Sequence, residues 1–525
     1  MSRRSPDAID RRRFLGGALT VGGATLLGGG LAACASSSTT PVAGESGPVG
    51  TPKSGGVLKL GVVDGNTSGT LDAHKPLGTA SIIRGFALYS KPWVWDSNMS
   101  PAPALAEETE TDASARVWTI RLRQGAEFHN GKTIDADDLI FSIRRLIDPK
   151  LASPWASLLY SVRPGDIDKL DNRTVRLRLT QGFQPLKHAF TNFGGVVPVD
   201  YDPLNPVGAG PFKYKSFTPG QRSVFVRHPN YWEDGKPYAD ELHIIEYPDD
   251  TTRVNALASK QINLVTGLSA DQVRVVASAK SGRVVRSSTQ NWVGFSLNTS
   301  VAPFTDVRVR QAFRLIADRD QLIAQGHGGA GKVANDLYSP NDPTFDTSIP
   351  QRKQDIAAAK ALLRAAGLPN LAVTLTTTAG QAGEKAALVF AQQAKEAGVT
   401  VRVDKVDSST FNGPRYLEWP FATTSMVANS YLSTALQTDA PISTNNVSHF
   451  SDRRFGALFD KALATPDEAQ RTPLVHQMQQ IQHDSGGLLI YGFRDNIDAV
   501  ASNIGGVVPE RTQFSVWRFE KLWVS

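Results

Sequence analysis

Gly326 to Val333 reads GHGGAGKV, the G-x-x-x-x-G-K spacing in which backbone amides and a lysine cradle phosphate. Two features argue against that chemistry. Val333 stands where a magnesium-binding Ser or Thr is required, and the stretch follows a helical pattern where a phosphate loop follows a strand. Cys34 is the only cysteine, which excludes an internal disulfide and any C-x-x-C metal site. The nine histidines, from His74 to His483, form neither H-x-H nor H-E-x-x-H. No G-x-S-x-G elbow and no other nucleophile–base motif stands out. The residue types therefore predict no catalysis, no metal site and no cofactor.

At 525 residues, with 41% apolar and 20% charged side chains, the chain has material for two or three packed units. Its net charge is +6, but past residue 13 the basic residues form no polybasic cluster and are scattered, as in TIRLRQ, TVRLRLT and DVRVRQ. Scattered charge without an RNA-binding sheet motif predicts no nucleic-acid partner.

The first 33 residues set five arginines against two aspartates; Phe14 to Gly30 is moderately apolar, and Leu31-Ala32-Ala33 precede Cys34. That order is a secretion signal. A transmembrane helix is the poorer reading, because glycines such as Gly16, Gly22 and Gly28 each cost roughly 1 kcal/mol relative to alanine in a helix. Arg11-Arg12-Arg13-Phe14-Leu15 resembles the core of a twin-arginine signal, with Asp10 where Ser or Thr is usual. The general secretory route is the alternative. Leu31-Ala32-Ala33-Cys34 resembles a bacterial lipobox, which implies cleavage before Cys34 and acylation of its sulfur. Residues 34–55 are Ser-, Thr-, Pro- and Gly-rich and read as a flexible tether. The expectation is a body held outside the cytoplasm by a lipid anchor in the membrane.

From Gly56 onward strands and helices alternate, which predicts α/β architecture. VWTIRLR places Trp118, Ile120 and Leu122 on one face, and TVRLRLT does the same with Val175, Leu177 and Leu179. DADDLIFSIRRLIDP reads as a helix with Asp135 as N-cap, an apolar stripe of Leu139, Ile140, Ile143 and Leu146, and Pro149 beyond its end. TDVRVRQAFRLIADRDQLIAQG gives two helices broken near Asp318. A further helix stops at Gly367, and another at Gly398 before a strand carrying Val399, Val401 and Val403.

Five segments in order resemble the family-five extracellular solute-binding proteins of ABC importers. They are LRQGAEFHNGKTIDADDLIFSIRRL, GAGPFKYKSFTPGQRSVFVRHPNYW, FTDVRVRQAFRLIADRDQLI, AKALLRAAG and HFSDRRFGALFDKAL. The resemblance spans about residues 56 to 500. It implies a two-lobed periplasmic-binding-protein-like α/β fold of type II, joined by a double crossover, with an extra subdomain in lobe one. The corresponding division is 56–93, 209–289 and 492–525 for lobe one, 94–208 for the insertion and 290–491 for lobe two. It also implies a monomer that buries a solute or peptide between its lobes and passes it to ABC permease subunits. Gly208, Gly210 and Pro211 are expected to be turn residues, Trp232 to pack, and Arg308 and Arg310 to pair with acids near a helix start.

The resemblance also implies where ligand is held. Peptide receptors of the family carry an aspartate for the peptide amino group in a W-x-x-D segment; here Met426 and Asn429 occupy the tryptophan and aspartate positions. The arginine that dipeptide-type receptors use for the carboxylate is absent from TAGQAGEK after AVTLTT. Both charge partners of a free short peptide are thus missing at those positions. The implied ligand-binding residues are Thr79, Trp292, Met426, Asn429 and Tyr431, an uncharged set suited to a neutral solute such as a sugar or to the middle of a longer peptide. Core packing is the competing reading for Trp292, and a turn role for Asn429. An envelope sensor or scaffold on the same fold is the alternative function. Nickel held through a small chelator is a third.

Overall fold

Alternation of apolar and polar residues builds the strands of this protein, and among the described residues the breaks sort them into three sheets of four or more strands and two two-stranded ribbons. The structure, a computed structural model, describes residues 50–525 apart from 65–68, 281, 381 and 428. The signal segment and Cys34 lie outside the described residues.

A seven-stranded sheet forms the core of lobe one, in the order Arg283–Ser287, Asn496–Val500, Leu264–Val265, Val57–Val63, Glu241–Tyr247, Arg222–Arg227, Phe212–Thr218. Val57–Val63 lies parallel to both its neighbours. Helix Gly78–Leu88 and the C-terminal segment cover this sheet, burying Ile83, Leu88, Val516, Phe519 and Leu522 with Leu58 and Leu60.

A six-stranded sheet forms lobe two, in the order Gly331–Val333, Leu488–Arg494, Trp292–Leu297, Phe421–Met426, Ala372–Thr378, Thr400–Val406. Ala372–Thr378 runs parallel to both Phe421–Met426 and Thr400–Val406, and Trp292–Leu297 runs antiparallel to its neighbours. Leu488–Arg494 passes residue 491, where the sequence reading returned the chain to lobe one.

The third sheet, Ala106–Thr111, Val117–Leu122, Thr174–Leu179, Val162–Lys169, is antiparallel throughout. Trp118, Ile120, Leu122, Val175, Leu177 and Leu179 all face inward, as their alternation predicts. Helix Ala136–Ile147 packs against it. Asp135 caps that helix by accepting from the amides of Asp137 and Asp138, and the Asp138 carboxylate accepts in return from Asp135 N at 3.0 Å. This sheet shares one continuous apolar core with lobe two, through Phe183, Leu186 and Phe190 on one side and Leu436, Phe459 and Leu463 on the other. Gln184 N donates to Leu463 O at 2.8 Å across that contact.

The chain passes between lobes twice. It leaves Arg283–Ser287 for Trp292–Leu297, and returns from Leu488–Arg494 to Asn496–Val500. The two passages are tied together: Arg494 N donates to Asn291 O at 2.9 Å, and Thr289 Oγ1 to Arg494 O at 2.8 Å.

Two expectations need correction. Gly208 and Gly210 are required by close approach rather than by turn geometry: a Cβ at either would lie 1.9 Å from Leu88 O or 2.3 Å from Ala87 O, at the end of helix Gly78–Leu88. Arg308 pairs with Asp306 at 2.6 Å as expected, but Arg310 has no acid partner. Its guanidinium is buried against carbonyls, donating to Phe304 O at 2.6 Å and Ser485 O at 2.7 Å, while Asp306 on the same loop is taken by Arg308. Trp232 packs, with Nε1 donating to Ser90 Oγ at 3.0 Å. GHGGAGKV leads from a one-turn helix into strand Gly331–Val333, the reverse of the strand-to-helix order of a phosphate loop.

Candidate functional site

Strand directions define one edge of the lobe-two sheet. Ala372–Thr378 and Phe421–Met426 end there; Trp292–Leu297 begins there; Leu488–Arg494 ends there. Thr378, Met426, Trp292 and Arg494 therefore stand along a single edge, beside the two passages to lobe one. Ligands of open α/β sheets bind outside the carboxyl ends of parallel strands. In lobe one the corresponding end is that of Val57–Val63, followed by Asp64. The Asp64 carboxylate accepts from Ala80 N at 2.9 Å and so caps helix Gly78–Leu88 from outside. Thr79 is exposed in that first turn.

Two recesses open along the lobe-two edge. One, of about 250 Å³, is walled by lobe two, the inserted subdomain and the C-terminal segment; Gln290, Asn341, Asp342, Asn429, Arg471 and Arg511 are among its lining residues. The other, of about 270 Å³, lies wholly within lobe two. Its lining includes Thr377, Thr378, Thr423, Thr424 and Ser425, with Thr423 Oγ1 donating to Thr377 Oγ1 at 3.1 Å, together with His327, Tyr491 and Arg494.

The residues anticipated from sequence distribute unevenly. Asn429 lines the first recess, yet it is buried, and its Oδ1 accepts from Ser430 N at 2.9 Å. That bond gives it the turn role. Met426 is half-buried and is the strand partner of Trp292. Trp292 is 2% exposed within the shared apolar core, and its indole N–H finds no acceptor among the described residues. Such an orphaned donor is uncommon, and leaving it unpaired costs about 1–3 kcal/mol. Tyr431 does not reach either recess. It is fully buried, stacks on Tyr338 with ring centroids 5.1 Å apart, and donates to Gln482 Oε1 at 2.5 Å. Tyr431 is the first residue of helix Tyr431–Thr438, capped by Ser430, and that phase turns it inward.

The expectation of an uncharged lining also fails in these recesses. Asp342 and Arg471 lie in one and Arg494 in the other. Asp342 accepts from Tyr431 N at 2.8 Å. Burial, joined by the neighbouring Arg494 charge, lowers the His327 pKa to about 4, so the imidazole is neutral at pH 7. Its Nε2 lies 3.0 Å from the Tyr491 hydroxyl. Sequence reasoning missed Arg494 because YGFRDN reads as the end of a buried strand. The usable signal was an arginine at the point where the chain leaves lobe two.

Two sheet-based lobes joined by paired crossings, with recesses along the facing strand ends, define a two-lobed solute receptor. The model for "Bacterial extracellular solute-binding proteins, family 5 Middle" matches residues 100–446, and the chain belongs to that family. It is 26% identical to the di/tripeptide-binding protein 2 of Pseudomonas aeruginosa, over 77% of this chain and 83% of that one. It is 25% identical to the heme-binding protein A of Haemophilus influenzae, over 73% of this chain and 77% of that one. The periplasmic binding protein AgaA of A. tumefaciens R10, solved with agropinic acid, superposes with a TM-score of 0.77 at 26% identity, covering 90% of this chain and 99% of that one. The chain is thus the solute-capturing component of an ABC import system. Among the described residues no helix is long and apolar enough to cross a membrane.

Proposed function

We propose that this receptor is a lipoprotein, tethered through an acylated Cys34, that acts as a monomer and performs no chemistry on what it binds. Exported by a twin-arginine-type signal, the body captures an oligomeric solute between its lobes at the edge formed by Thr378, Met426 and Trp292, with Thr79 opposite. The carrying observation is that edge itself: strand ends from four strands, beside both crossings. A ligand that touches both lobes at once favours the closed state by the difference in its contacts between closed and open. The ligand is not a free short peptide held by its amino group, because Asn429 offers a neutral amide already committed to its own turn.

The reading is tested on the full chain with its own leader. Metabolic labelling with radioactive palmitate should mark the wild type and leave Cys34→Ser unlabelled; equal labelling of both rejects the anchor. Native mass spectrometry of the gently purified protein should show a discrete bound mass. A ladder of short peptides would overturn the reading of Asn429.

A further inference from the structure

Arg494 has a surrounding that its neighbours do not share. Its backbone is pinned on both sides, by the bonds to Asn291 O and Thr289 Oγ1. Its side chain is exposed and forms no hydrogen bond or ion pair among the described residues. The adjacent Asp495 does not neutralise it: that carboxylate lies 3.6 Å from Arg286.

A β-bulge explains where the guanidinium goes. Val293 pairs with Gly492 and Gly294 with Ile490, so Tyr491 is an extra residue in its strand. The bulge breaks the alternation. Phe493 joins the core that holds Trp292, whereas Arg494 lines the recess together with Tyr491. Bulges re-aim side chains in this way beside binding sites. The recess that receives Arg494 contains no Asp or Glu; hydroxyls, a neutral His327 and Asn412 line it instead. A guanidinium is a cation throughout the physiological range.

We propose that Arg494 is an anion subsite that takes a carboxylate of the captured solute, with the threonine hydroxyls of the recess donating to the remaining lone pairs. This rests on the reading that solute is captured along the lobe-two edge. A planar guanidinium matches a carboxylate with two parallel hydrogen bonds, which a lysine cannot reproduce. The missing carboxylate-binding arginine after AVTLTT is thereby replaced from a different strand, at the end of the same sheet. The receptor then selects acids over their neutral counterparts.

The test is a retention experiment on the full chain, stripped of ligand by partial unfolding and refolded. It is offered an equimolar panel of matched pairs: tripeptides and their C-terminal amides, sugar acids and the parent sugars, and agropinic acid. Bound species are read by native mass spectrometry for wild type, Arg494→Gln and Arg494→Lys, each checked for unchanged circular dichroism and melting temperature. Wild type should retain acids at least tenfold over their neutral partners. Arg494→Gln should lose that preference, and Arg494→Lys should keep part of it. Retention of neutral members by wild type, or an undiminished preference for acids in Arg494→Gln, overturns the anion subsite and leaves solute capture standing. Retention of no member by the folded wild type overturns both.

Discussion

Asp336 shows how a single buried carboxylate organises lobe two. Burial would raise its pKa, but Arg319, Arg314 and Arg352 outweigh burial and hold it lowered. Arg319 grips both carboxylate oxygens at 2.8 Å, and Arg352 adds a bond of 2.8 Å. Removing one member of such a cluster strands the others in low dielectric. Asp336→Ala should therefore destabilise the protein by about 3–5 kcal/mol, read from urea unfolding. Asp439 is the opposite case. Burial raises its pKa to about 6, against bonds from Gln482, Tyr338 and Thr438 that favour the charged form. Its folded pKa lies above the unfolded value near 3.9, so the native state holds more protons between the two. Stability should fall as pH rises from about 4 to about 6 and level off above that. Asp439→Asn should flatten this slope, by up to about 3 kcal/mol across the window, measured as unfolding free energy against pH.

At the scale of elements, local signals carried most of the reading. The N-cap at Asp135, the break at Asp318 and the stop at Gly367 are all written in neighbouring residues, and the structure places caps or ends at each. Asp135→Ala should cost about 1 kcal/mol, seen as a lower melting temperature with the fold retained. What the sequence hid was set by distant partners. Gly210 looks like any turn glycine until the end of helix Gly78–Leu88 is laid against it. Gly210→Ala should destabilise by about 1–3 kcal/mol through overpacking, again by urea unfolding. Tyr431 carries the composition of a ligand contact, and only the helix phase turns it into the core. Arg494 is re-aimed by a bulge that no periodicity reveals.

At the scale of the molecule, resemblance supplied the two-lobed plan, while the partnership between subdomains emerged only in three dimensions. The inserted sheet shares its core with lobe two, and Gly182 sits so close to Ala464 that a Cβ would lie 2.6 Å from that residue's Cα. Calorimetry should accordingly show the insertion and lobe two melting in one transition. Gly182→Val should lower that transition by several degrees, since a bulky side chain must pry the two apart.

The paired crossings have a mechanical meaning. Two straps laid side by side and stitched at Asn291–Arg494 and Thr289–Arg494 flex readily in one plane and resist shear and torsion. They form the spine of a book. The covers swing along a single coordinate, so every opening returns the same two pages to the same register.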